Sequence, residues 1–367
     1  MQQYVKTLLR EIEATPSVGQ APLETVFLGG GTPSLLSVSQ LESILNALDM
    51  KFGIARTAEV SIEMDPATFD LAHLEGYAAA GVNRVSLGAQ DFHDEVLAAC
   101  GRFHRREDVW QAVGLLHKAG LENFSLDLMS GLPHQTMESW AASLKDAIAL
   151  QPTHISQYDL IVEPQTAFSR YYTPGEAPLP TDTQTADMYR AAKEALCAAG
   201  YDHYEICNYA KRGYEARHNI TYWKSQPCYG FGMGATSYVN HQRIDRPRTQ
   251  RSYRAWVEQF ISGGGRTDDP IVTPEERVLE QIMVGLRLKE GIALEDLYEV
   301  YGQRGLDALG SAIAPHVRSH WLIVETNGNV ASNIKKLEPT SQIRLSDPEG
   351  FVMSNQVIVD AFNALEK

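Results

Sequence analysis

Three patterns in this chain have the residue types and spacing to do chemistry. The first is Gly29-Gly30-Gly31-Thr32-Pro33, which closes the β-forming run at 25–28. Glycine adopts positive φ and lets a ligand approach main-chain N–H groups, while proline suits the turn into a helix. The loop is either a ligand cradle or a tight strand-to-helix turn, and three consecutive glycines favour the cradle. No Lys-Ser/Thr follows and G-x-G-x-x-G is not spelled, so neither nucleotide-phosphate signature applies. The second pattern is the set of polar residues in further apolar runs: Glu63 and Asp65 in EVSIEMD, Gln90 in RVSLGAQ and Asp127 in FSLDLMSGLP. The third is His218-Asn219-Ile220-Thr221-Tyr222-Trp223, an imidazole close to two aromatics. Such a stretch is a capped turn with aromatic packing, or a donor beside a flat apolar surface. The four cysteines, Cys100, Cys197, Cys207 and Cys228, show no C-x-x-C spacing. They point to free thiols in a reducing compartment, and to neither a disulfide framework nor a sequence-local metal site.

Elements must bring these residues together. Apolar runs at 25–31, 59–65, 84–90, 124–133 and 154–163 alternate with helical patterns at 37–49, 68–79, 106–119, 136–149 and 182–199. Repeated strand and helix predict a parallel sheet, and runs apolar nearly throughout predict strands covered on both faces. Polar residues at the C-terminal ends of parallel strands are where β/α barrels place their sites. Five such units are fewer than a closed barrel needs.

A second region follows Gly263-Gly264-Gly265. Thr273-Pro274-Glu275-Glu276 reads as a capping box with proline at the first helical position. Helices near 294–301 and 305–318, a strand at 321–324, an Asn327-Gly328 turn and a strand at 343–345 complete a winged-helix-like α+β unit. The expected division is 1–265 and 266–367.

The 367 residues, 44% hydrophobic and 21% charged, suffice for one large and one small domain. A net charge of −14 argues against a nucleic-acid partner held by general phosphate attraction. No apolar run reaches the ~18 residues of a membrane span. The first residues form an amphipathic pattern with acidic side chains, unlike a signal or transit peptide, so a cytoplasmic location is expected, with an organellar address on a longer chain left open.

Read together, Gly29-Gly30-Gly31-Thr32-Pro33, Ile62-Glu63-x-Asp65-Pro66, the stretch 81–92 (GVNRVSLGAQDF) and Asp127-Leu128-x-x-Gly131-Leu132-Pro133 resemble the radical S-adenosylmethionine (SAM) proteins around oxygen-independent coproporphyrinogen III oxidase. His218-Asn219-x-x-Tyr222-Trp223 resembles the signature of the HemW-type heme chaperones in that group. The resemblance spans essentially the whole chain and implies a partial (β/α)6-type barrel. It places Gly30, Gly31 and Thr32 on the methionine end of SAM, Glu63 on its ammonium or ribose, Gln90 and Asp127 on ribose hydroxyls and Arg102 on the carboxylate. Ile161 and Thr236 are weaker correspondences. Taken singly, Glu63 and Asp127 could equally cap strands, and Arg102 could be a solvated loop charge.

The family also holds a [4Fe–4S] cluster on a C-x3-C-x2-C loop after the first barrel strand. Neither that loop nor that strand is found here, since QQYVKTLLREIE reads as the family's first helix. The strand at 25–28 is then expected to be an uncovered edge. No cluster ligand and no catalytic residue is assigned, and radical catalysis is not expected of this chain.

The resemblance makes heme a ligand, with His218 as a candidate iron donor, Asn219 beside it, and Tyr222 and Trp223 against the macrocycle. Arg243, Arg246, Arg248, Arg251 and Arg254 are candidates for porphyrin carboxylates or a solvated loop. The chaperones usually carry His where this chain has Thr236, which removes a second donor. Three readings stay open: a heme chaperone serving an unidentified acceptor protein, a porphyrinogen-decarboxylating enzyme if a cluster-bearing N-terminus exists, and an inactive truncated form. A second copy of the chain is a further candidate partner.

Overall fold

The computed structural model describes residues 1–166, 168–330 and 336–366. Helix α1 (Gln2–Ala14) precedes five strand–helix units. These are β1 (Leu23–Leu28) with α2 (Val38–Phe52), β2 (Ile54–Met64) with α3 (Leu71–Ala79), β3 (Arg84–Gln90) with α4 (Asp94–Ala99) and α5 (Arg106–Lys118), β4 (Phe124–Ser130) with α6 (Met137–Ala149), and β5 (His154–Asp159) with α7 (Asp182–Ala198). Side-chain caps set several helix starts. Ser37 and Gln40 form a reciprocal box before α2, Thr136 and Ser139 one before α6. Asp70 accepts from the His73 N–H, so α3 begins at 71 and not at 68.

Strands β1 to β5 pair in parallel in sequence order. The sheet then continues through an antiparallel ribbon, β6 (Asp202–Glu205) and β7 (Asn208–Ala210), in the order β5-β7-β6. Helix α8 (Arg217–Trp223), the hairpin β8 (Thr236–Val239) and β9 (Gln242–Asp245), and α9 (Gln250–Ser262) follow. The result is a curled half-barrel.

One expectation is corrected by the strands' two faces. Val60, Ile62 and Met64 join the apolar core under the outer helices, whereas the alternate residues Glu59, Ser61 and Glu63 line the cavity on the concave face. The same alternation places Arg84, Ser86, Asp127, His154, Ser156 and Tyr158 inside. The strands are apolar on one face only, because the concave face carries a polar site.

β1 takes no strand on its outer side among the described residues. Helix α8 reaches it instead. Thr25 Oγ1 and His218 Nδ1 lie 2.9 Å apart, and Arg217 Nη2 donates to Glu24 Oε2 at 3.4 Å. β1 is thus the edge strand that was expected, and α8 touches it through side chains alone.

The remaining elements are α10 (Pro274–Gly285), β10 (Ile292–Ala293), α11 (Glu295–Arg318), β11 (Leu322–Thr326), β12 (Asn329–Val330), β13 (Ser341–Leu345), α12 (Glu349–Val352) and α13 (Ser354–Leu365). The strand order β10-β13-β11-β12 against α10, α11 and α13 is winged-helix-like, with its own apolar core. The two helices expected at 294–301 and 305–318 are the two halves of α11, parted at Gly302, whose φ of 62° interrupts the helical backbone. Main-chain bonds fasten this unit to the half-barrel: Ile206 N–H donates to Arg287 O at 2.9 Å and Lys289 N–H to Tyr204 O at 3.0 Å.

Candidate functional site

The glycine loop leaves β1 with φ of 77° at Gly30 and 68° at Gly31, and a Cβ at either would meet only open space. Positive φ, not crowding, requires glycine at these two positions. Crowding is found one residue earlier, where a Cβ on Gly29 would reach the Phe27 ring at 2.3 Å and Glu63 Oε1 at 3.0 Å. The Gly30 N–H donates to Glu63 Oε2 at 2.9 Å, which ties the ends of β1 and β2 together. Burial raises the Glu63 carboxyl above the ordinary range.

A second group meets at the end of β3. Gln90 sits where the β3–β4 register shifts, with φ of 65°, and its Oε1 is buried without a partner among the described residues. Arg102 Nη1 pairs with Asp65 Oδ1 at 3.2 Å, and a Cβ on Gly88 would touch the same Asp65 oxygen at 3.1 Å. Asp65, Gln90 and Arg102 therefore form one patch with an unsatisfied acceptor.

Deeper in the half-barrel lies a cavity of about 250 Å³. Asp127 accepts from Ser86 Oγ at 2.8 and 3.0 Å and from Ser125 Oγ at 3.2 Å. Burial raises the Asp127 carboxyl, and these hydroxyls oppose that rise. Ser125 Oγ also lies 2.8 Å from His154 Nδ1, and His154 Nε2 lies 2.8 Å from the Tyr204 hydroxyl. Burial holds the His154 imidazole well below the usual histidine range. A histidine neutral in the fold but titrating normally when unfolded gives the unfolded chain the greater proton uptake as pH falls. Its stability contribution is thus present above pH ~6.5 and lost on acidification. The parent's urea midpoint should fall between about pH 7 and 5, and His154→Gln should flatten that slope. Equal slopes would remove His154 as a source.

Helix α8 closes the lumen. Its first two N–H groups, at Arg217 and His218, donate to Glu59 at 3.1 and 3.0 Å, so a buried carboxylate caps the helix. The His218 ring stacks on Phe27 at 5.1 Å and 9°, and its Nε2 lies 3.0 Å from the Tyr222 hydroxyl. Burial lowers its pKa to about 4. Both ring nitrogens are thereby engaged in a neutral imidazole. Asn219 lines the same cavity. Trp223 turns the other way, under the Arg287 guanidinium at 5.6 Å.

Glu63, Asp127, His218 and Asn219 thus share one cavity, and Gly30 joins it through Glu63. Thr32 precedes the short helical turn at Pro33–Leu35, beside the loop. Ile161 is 74% exposed beyond β5, and Thr236 lies in the β8–β9 hairpin with its hydroxyl on Asp245. Neither lines the cavity. Sequence reasoning missed Glu59, Arg84, Ser86, His154 and Tyr204. Their signal was polar residues two apart within the apolar runs, as in Glu59-x-Ser61-x-Glu63 and Ser125-x-Asp127.

The arginine run is divided by the fold. Arg246 is buried against Glu11 of α1 at 2.7 Å, and Arg243 pairs with Glu280 of α10. The cysteines do not gather: Cys100 ends α4, Cys197 is on α7, Cys207 joins β6 to β7 and Cys228 precedes β8. Among the described residues no group of three His, Cys, Asp or Glu side chains could hold a metal ion. The thiols present, spread over four separate elements, do not fit a [4Fe–4S] cluster. No described helix is long and apolar enough to cross a membrane.

A half-barrel with a glycine loop on its first strand and polar residues at its strand ends is the architecture of the radical SAM superfamily, whose description matches residues 4–147. Residues 272–329 match the HemN C-terminal domain. The coproporphyrinogen III oxidase HemN of Escherichia coli has the same fold, with a TM-score of 0.78 at 20% identity, covering 100% of this chain and 83% of that one. The heme chaperone HemW of a Synechocystis species is 45% identical over 100% of this chain and 89% of its own length. Those of Bacillus subtilis and Escherichia coli are 35% and 34% identical over 88% of this chain, and over 84% and 86% of theirs. The chain belongs to the HemW heme chaperone family. The superfamily implies SAM and a [4Fe–4S] cluster as cofactors, and the family name implies heme.

Proposed function

We propose that this chain is a heme-binding chaperone that binds heme and SAM and passes heme to an acceptor protein, with no radical catalysis by its own residues. The observation that carries the reading is α8, which brings a neutral imidazole to the lumen of a SAM-type half-barrel with the Tyr222 phenol beside it. A neutral imidazole is the protonation state that donates to heme iron. Thr25 on Nδ1 orients the ring, and Nε2 becomes free when the Tyr222 hydroxyl turns away. Tyr222 is half exposed, so that motion costs little packing. The test is a hemin titration of the parent, with a saturable change of the Soret band expected.

For SAM, the open space over Gly30 and Gly31 receives the methionine end, Glu63 accepts from its ammonium, and Gln90 with Asp127 faces the ribose. Arg102, held by Asp65, meets the carboxylate. Deleting this guanidinium by Arg102→Ala should cost roughly 1.5–3 kcal/mol of SAM affinity, the range for hydrogen bonds to charged groups. Calorimetry giving equal affinities for parent and variant would remove Arg102 from the site.

A further inference from the structure

The lumen offers little to the carboxylate-bearing edge of a porphyrin. It measures about 250 Å³, and the carboxylates of Glu59, Glu63 and Asp127 line it. Porphyrin carboxylates would meet three carboxylates there, with Arg84 the one arginine or lysine among the described residues of the lining. The opposite side of α8 differs. His218 and Tyr222 face β1 and the lumen, whereas Ile220 and Lys224 line a separate cleft of about 550 Å³ between the half-barrel and the winged-helix-like unit. That volume lies within the ~300–1,000 Å³ typical of small-molecule sites.

The cleft is built from residues of complementary kinds. Tyr204, Ile220 and Leu288 supply apolar surface, and Lys224, Lys289 and Arg344 supply three cations against the two carboxylates of Glu215 and Glu290. Lys224 is paired with Glu290 at 3.0 Å, whereas Lys289 and Arg344 enter no ion pair among the described residues. Two available cations over apolar side chains stand out in a chain of net charge −14. The turn beneath them is tightly fitted: Gly291 has φ of 71°, and a Cβ there would meet Ile343 O at 2.0 Å and Arg344 Cβ at 2.5 Å. Lys289 is itself held by its N–H bond to Tyr204 O. The cations are therefore presented from a set backbone.

We propose that this cleft binds the carboxylate-bearing edge of a porphyrin, with Lys289 and Arg344 on its carboxylates and Ile220, Leu288 and Tyr204 against its ring. The proposal rests on the heme reading above and extends it, because recognition here is independent of iron. A porphyrin in this cleft lies against the side of α8 opposite His218, so the cleft is a site separate from the iron donor.

The probe is metal-free protoporphyrin IX, whose binding is followed by its own fluorescence, alongside hemin. Lys289→Glu and Arg344→Gln should each weaken protoporphyrin binding roughly tenfold, as expected for loss of a charge-assisted contact. The dimethyl ester, which lacks the carboxylates, should bind parent and variants alike. Lys289 is exposed, so an unchanged urea midpoint certifies that its variant is folded. Protoporphyrin affinity unchanged in both variants, with hemin still bound, overturns the cleft and leaves the heme reading standing. A parent that binds neither hemin nor protoporphyrin overturns the heme reading itself, and this one with it.

Discussion

Glu11→Ala is expected to destabilise the chain by about 3–5 kcal/mol, the cost of stranding one partner of a buried ion pair. Glu11 is fully buried, and it accepts from Arg246 Nε at 2.7 Å, from the Gly232 N–H at 2.9 Å and from the Tyr253 hydroxyl. Arg246 also donates to Ser237 Oγ at 2.7 Å, and its guanidinium lies over Trp256 at 5.2 Å. Without the carboxylate, a buried guanidinium, a backbone N–H and a phenol lose their acceptor together. The network joins α1 to the β8–β9 hairpin and α9, so its loss should loosen the segment that leads from α8. Urea unfolding of parent and variant measures the difference. A change below about 1 kcal/mol, the scale of an exposed pair, would mean that water reaches the site. Replacing both partners with apolar residues of similar size should cost far less than either single change, since no charge is then stranded.

That network also marks where the sequence is hard to read. Glu11 looks like one acidic residue of an amphipathic helix, and Arg246 like one of five arginines on a loop. Nothing local distinguishes a charge that will be buried against a partner 235 positions away. The parallel strands were legible because long apolar runs and glycine turns are local signals. Their two-faced character was not read, although Glu59-x-Ser61-x-Glu63 and His154-x-Ser156-x-Tyr158 alternate with the period of two that one wet face requires. The ribbon β6–β7 escaped because strands of four and three residues carry too little pattern.

The candidate site was legible to a similar degree. The glycine loop, Glu63, Asp127 and His218 were placed by motif order, and the fold brings them to one concave face. The geometry of His218 could not be foreseen, since its neighbours Thr25 and Phe27 lie on β1 and its cap Glu59 on β2. A seven-residue helix has little stability of its own. It is held by those tertiary contacts, and so the histidine's position depends on strands that precede it by more than 150 residues.

His218→Ala should abolish the axial-ligand signature of bound hemin. It should also weaken binding by more than the ~10–100-fold typical of losing an outer partner of a metal ligand. Tyr222→Phe should act in the opposite direction. In the free protein the Tyr222 hydroxyl occupies Nε2, the nitrogen left over once Nδ1 is bonded to Thr25. On the proposed reading iron displaces that hydroxyl, so removing it should raise hemin affinity, by a few-fold at most for one net hydrogen bond of ~1 kcal/mol. Thr25→Val removes the orienting contact from the other nitrogen and should lower affinity while keeping the axial spectrum. The three variants thus separate a ligand from its competitor and its orienter, which a merely structural histidine would not do. An alanine variant with the parent's Soret band and affinity would show that another group ligates the iron, and would leave His218 as a packing residue between α8 and Phe27.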